Sequence, residues 1–139
     1  MSEKLSPHFT FEELTTTNNE LLLLENRREA KNYKNSLTRI AKELLEPIRI
    51  EFGPITINSG FRTKKLNESV GGSSTSQHCN GEAADFNVKG KQSREGRIEV
   101  IKWIIKNIKN FGQCLLERGV IHISLGTKKE VAEYATSFV

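Results

Sequence analysis

His78, Asp85 and His122 are the side chains of this sequence best suited to chemistry. The first two share one stretch, Ser76-Gln77-His78-Cys79-Asn80-Gly81-Glu82-Ala83-Ala84-Asp85, and the third arrives much later in Val120-Ile121-His122-Ile123-Ser124. Imidazole nitrogen and carboxylate oxygen are ordinary zinc donors, and three protein ligands leave a fourth tetrahedral position for water, as in catalytic sites. One zinc ion held this way polarises a carbonyl and lowers the pKa of bound water to about 7. The expectation is therefore a zinc hydrolase. A structural site of His78, Cys79, Asp85 and His122 is the alternative, disfavoured because closed sites favour several thiolates.

Three strands and two helices must position these groups. Ile55-Thr56-Ile57-Asn58 alternates as a half-buried strand with Ile55 and Ile57 toward the core. Residues 83–88 form a second strand, with Ala84, Phe86 and Val88 on one face and Ala83, Asp85 and Asn87 on the other. Residues 113–117 and 120–124 flank Arg118-Gly119, a two-residue hairpin loop with glycine second. That turn sets Glu117 opposite Val120 and Leu115 opposite His122. Each strand then shows aliphatics on one face and polar groups on the other, with Asp85 and His122 both on the polar face. The fold expected is α+β: a small antiparallel sheet with helices packed on one face and the zinc site on the other.

The helical periodicity of Tyr33, Leu37, Ile40, Ala41, Leu44, Leu45 and Ile48 predicts a helix from Arg27 to about Phe52, kinked or broken near Glu46 by Pro47. A second helix carries Ile98, Ile101, Ile104, Ile105 and Ile108, with Trp103 at the core edge. Thr10 and Glu13 have capping-box spacing for a helical turn over residues 8–14. Residues 21–24, four leucines, are expected to cover a core edge, residues 59–76 to be mostly loop, and His8 to be surface. The chain is expected to be one domain, 1–139, with a core of about 9–125 and a tail at 126–139.

Amide hydrolysis also needs a base to move a proton from water to the leaving nitrogen. Glu117, diagonal to His122 across the hairpin, is the carboxylate best placed for it. Arg62, after the chain turns at Gly60, can hold a substrate carboxylate or carbonyl bidentately. Ser73, Ser76 and Gln77 can hydrogen-bond a peptide, and Gln113 shares the His122 face, so Arg62, Ser73, Ser76 and Gln113 are the substrate-binding candidates.

With 139 residues, 36% hydrophobic and 27% charged, the composition is that of a globular domain. Two cysteines make neither a disulfide scaffold nor a paired zinc motif. The N-terminus lacks the apolar run of a secretory signal, and residues 21–24 are too short to span a bilayer. A net charge of +4 favours anionic partners, yet the basic residues form no stripe interleaved with aromatics. Cell-wall polymers stay among the anionic partners that the charge allows; no nucleic-acid and no membrane partner is expected, and the protein is expected to be a monomer.

Ile55-Thr56-Ile57-Asn58-Ser59-Gly60-Phe61-Arg62, Asn67, Val70-Gly71-Gly72-Ser73, Ser76-Gln77-His78 and Gly81-Glu82-Ala83-Ala84-Asp85 together resemble the zinc D-Ala-D-Ala carboxypeptidases. These group with bacterial and phage peptidoglycan endopeptidases in a fold shared with lysostaphin-type enzymes and hedgehog domains. The resemblance runs from about Phe9 to Leu125. It implies zinc on His78, Asp85 and His122, Arg62 near the substrate, and cleavage of a peptidoglycan stem or cross-link peptide, as in a phage endolysin. The chain departs from the pattern where the base resides: Val120 replaces a histidine of carboxypeptidase relatives, and Gly119 a glutamate of endopeptidase relatives. Either Glu117 takes that role, or the domain is a zinc-containing wall-binding or virion module of weak or no activity. Without a signal, such a protein reaches the wall through lysis or on a virion. A basic interaction domain unrelated to the wall ranks third.

Overall fold

A computed structural model of the chain describes residues 2–126; the predicted tail from 127 onward lies outside the described residues. The architecture is α+β. Strands β3 (Ile55–Ser59), β4 (Ala83–Val88), β5 (Phe111–Glu117) and β6 (Val120–Leu125) form an antiparallel sheet in the order β3-β4-β6-β5. Asp85 pairs with His122 between β4 and β6, and Leu115 pairs with His122 across the β5–β6 hairpin. The register expected from the Arg118-Gly119 turn is the one observed, with Glu117 opposite Val120. A positive φ of 76° at Gly119 explains the glycine. A short β1 (Lys4–Ser6) and β2 (Phe9–Thr10) form a separate two-stranded ribbon.

One face of the sheet carries Ala84, Phe86, Val88, Cys114, Ile121 and Ile123 into a single hydrophobic cluster. Leu37, Ile40, Ala41, Leu44, Leu45 and Ile48 cover it from one side, and Val100, Ile101 and Ile104 of helix α5 (Arg94–Asn107) from the other. Ser93 caps α5 by accepting from the Gly96 amide. Ile98, expected on the apolar stripe, is only half-buried, and Val100 takes the buried position. Trp103 stands at the core edge, edge-on to Phe52.

The long predicted helix is segmented. Helix α1 (Glu20–Ala30) leads through a 3-10 turn into α2 (Lys34–Arg39), a π-helix at Ile40–Leu45, and α3 (Glu46–Phe52). Pro47 explains the π segment. Proline has no amide to donate and its ring collides with the carbonyl four residues back, so the wider turn relieves the ladder just before it. There the Glu46 amide reaches five residues back, to the Ala41 carbonyl.

Two expectations are corrected and two are refined. The leucines at 21–24 belong to α1, and Leu21 and Leu24 are 94% and 75% exposed; α1 instead buries Asn26 and Ala30. Residues 59–76 contain a helix, α4 (Lys64–Ser69), capped by Thr63, whose hydroxyl accepts from the Leu66 amide. His8 is exposed, as expected, but tied down, because its Nδ1 lies 2.7 Å from buried Glu46. The Thr10–Glu13 capping box is present, with bonds in both directions, but it opens a 3-10 turn at Glu13–Thr15 from the end of β2.

Candidate metal centre

Each of the three candidate ligands is held by a different element. His78 lies in a 3-10 helix, Gln77–Asn80, whose start is capped by Ser76 accepting from the His78 amide. Gly81 ends that turn with φ of 68°, the left-handed conformation that glycine adopts freely. The chain then enters β4, where Asp85 faces away from the core, paired with His122 of β6. A second glycine, Gly60, lets the chain leaving β3 pass against the 3-10 turn at Glu13–Thr15: a Cβ there would lie 2.1 Å from the Leu14 carbonyl oxygen.

The ligand atoms of His78, Asp85 and His122 lie within 4.8 Å of one another, and all three residues are buried. His78 Nε2 is 3.2 Å and His122 Nδ1 2.8 Å from the same oxygen, Asp85 Oδ1. The outer nitrogens face acceptors. His78 Nδ1 donates to the Gly60 carbonyl at 2.7 Å, and His122 Nε2 lies 3.2 Å from Gln113 Oε1. A neutral imidazole has one proton; spent on the outer acceptor, it leaves the inner lone pair directed at a carboxylate oxygen. Lone pairs converging on an anion need a cation between them, so the donor set fits a metal ion. The outer bonds are the usual way that a protein fixes the tautomer of a ligating histidine.

Asp85 is anionic at neutral pH. Burial opposes its charge, but the two imidazoles that converge on it outweigh burial and hold the carboxyl well below the usual range. Its other oxygen, Oδ2, accepts from Arg62 Nη2 at 3.2 Å. Arg62 also gives Nε to Ser59 and Nη1 to Asn67.

A cavity of about 410 Å³ opens over this group, lined among others by Arg62, Ser73, Ser76, Gln113, Glu117 and His122. All the sequence candidates therefore meet at one surface, though not all as substrate contacts. Gln113 stands behind His122, and Ser76 caps the turn that carries His78. Ser73 pairs with Thr75 in the cavity wall, and Glu117 reaches the cavity from the exposed end of β5. Cys79 does not join; it lies in a separate cavity beside Tyr33 and Phe61, and burial pushes its thiol up.

Asn26 was not legible in the sequence. Fully buried, it donates to the carbonyls of Thr15 and Phe61 and accepts from the Thr63 amide, tying the approach to Arg62 onto α1. An asparagine among the charged residues of a helix gives no local sign of this.

A family model described as Peptidase M15 matches residues 7–124. Comparison with curated protein sequences finds no match.

Proposed function

This chain belongs to the peptidase M15 family of metallopeptidases, and from that premise we propose that it hydrolyses an amide bond in peptidoglycan stem or cross-link peptides. The observation that carries the reading is the convergence of the inner nitrogens of His78 and His122 on Asp85 Oδ1 while their outer nitrogens face acceptors. His78, Asp85 and His122 would hold one zinc ion, which when bound supplies Lewis acidity to a carbonyl and to water.

The chain's own residues do the rest. Asp85, held anionic, adds the charge that favours a dication over a neutral ligand. Arg62 locks Asp85 in place through Oδ2 and turns its edge to the cavity, where it meets the scissile carbonyl oxygen. Glu117 takes a proton from the attacking water and returns it to the leaving amide nitrogen. Gln113 and the Gly60 carbonyl orient the two imidazoles, and Ser73 offers its hydroxyl to the peptide.

A second reading, a wall-binding or virion module without turnover, draws on Gly119 and Val120, which leave the family's usual base positions without an ionisable group. Mass spectrometry of purified muropeptides after incubation with the zinc-loaded protein separates the two. New amines above a His78→Ala control support the peptidase, and their absence supports the module. Given turnover, Glu117→Gln is expected to lower kcat by about a hundredfold, the usual effect of removing a general base. A much smaller loss removes Glu117 from that role.

A further inference from the structure

The cavity over the metal ligands has a neighbour, and we read the two as two arms about one ion pair, Arg62 and Asp85. A second cavity, of about 510 Å³, meets the first at Arg62 and Asp85, which line both. Both volumes lie in the range of ligand clefts, roughly 300–1,000 Å³. The first arm lies over β5 and β6, with Gln113, Glu117 and His122 at its floor. The second lies at β3, with Asn58 and Ser59 at its floor and Val120 beside them. Since the strand order is β3-β4-β6-β5, the two arms together cross the strands and Asp85 stands near the middle.

The second arm is walled by Thr16, Thr17, Asn18, Asn19, Ser69 and Val70. Among the described residues, its charged side chains are Arg62 and Asp85, which are paired with each other. Arg62 has two further bonds, to Ser59 and Asn67. Neither arm is lined by a lysine or a further arginine among the described residues, so neither offers an uncommitted cation to clamp a terminal carboxylate. What the second arm offers is neutral: amides and hydroxyls that both donate and accept, with Leu66, Val70 and Val120 as apolar contacts. That set suits a peptide backbone with small uncharged side chains.

We propose that this second arm is a binding subsite for a neutral peptide continuation of the substrate, so that the bond offered to the ligand group is internal and not the last one of a chain. The assignment of a bond rests on the peptidase reading above, whereas occupancy of the arm does not.

The test uses the zinc-loaded full chain and two sugar-free probes: Ac-D-Ala-D-Ala with its free carboxylate, and the longer, amidated Ac-D-Ala-D-Ala-Gly-Gly-NH2. Titrations followed by backbone amide resonances are expected to move Thr17, Asn18, Asn19 and Asn58 with the longer probe. Its affinity should exceed that of the shorter one by about tenfold, the scale of one or two net hydrogen bonds. Val70→Trp, at a position 56% exposed, should remove that advantage and leave the shorter probe's affinity unchanged. Equal or tighter binding of the free carboxylate, or still resonances in the second arm with the longer probe, overturns the subsite. So does a response that appears only with disaccharide-bearing muropeptides, which would assign the arm to glycan. Movement in the second arm without cleavage of any muropeptide keeps the subsite and removes the peptidase; cleavage with a still second arm does the reverse.

Discussion

At the scale of the residue, the site turns on where two imidazole protons reside. His78 has no choice, because the Gly60 carbonyl can only accept. His122 depends on a side chain, Gln113, whose amide oxygen faces Nε2. Gln113→Leu is therefore expected to weaken zinc binding by about 10–100-fold, as loss of an outer partner typically does, in competition with a chromogenic chelator. Gln113→Glu, which keeps the acceptor, should restore most of it. If Gln113 only touched substrate, chelator competition would not change.

Elements bring these residues together, and their tethers are polar and buried. Asn26 bridges α1, the Thr15 carbonyl and the segment at Phe61 and Thr63. Asn26→Leu leaves these backbone groups without partners inside the protein, a loss expected to cost about 2–4 kcal/mol, read as a lower urea midpoint. Substitutions of Leu21 or Leu24 by lysine, on the exposed face of the same helix, should change stability by no more than about 0.5 kcal/mol. The contrast inverts what hydrophobicity alone predicts for α1. At the far end of the sheet, Asn87 and Arg97 both donate to the Gly119 carbonyl and so pin the hairpin that presents Glu117 and His122.

For the whole molecule, the N-terminal ribbon is anchored to the helical layer through Glu46. Burial opposes its ionisation, but hydrogen bonds from Ser6 and His8 outweigh it, and the carboxyl lies below its ordinary 4.5. A depressed folded-state pKa contributes stability that is present above the unfolded value and lost as pH falls through the folded one. Thermal melts should therefore lose stability on acidification below about pH 4.5, and Glu46→Gln should flatten that slope while lowering the melting temperature at pH 7. An unchanged slope would assign the acid sensitivity to other carboxylates, Asp85 among them. Among the described residues no helix is long and apolar enough to cross a membrane.

Local pattern was enough for the sheet strands and the tight hairpin turn. Alternation in residues 83–88 placed Asp85 on a polar face and the Arg118-Gly119 loop set the β5–β6 register, whereas the β4–β6 pairing that sets Asp85 opposite His122, 37 positions apart, came only with the fold. The metal-ligand candidates followed from donor chemistry on that face. What needed tertiary structure was every choice made by a distant partner. Alternation put Gln113 on the His122 face, but that its amide oxygen meets His122 Nε2 was decided by the closed structure. Arg62 is committed to Asp85 across 23 positions of sequence, Glu46 to residues about 40 positions before it, and Leu21 and Leu24 stay in water because Asn26 and Ala30 take the buried face of their helix. Periodicity records which side chains can be buried together, but hydrogen-bond partners are settled only when the chain has closed on itself.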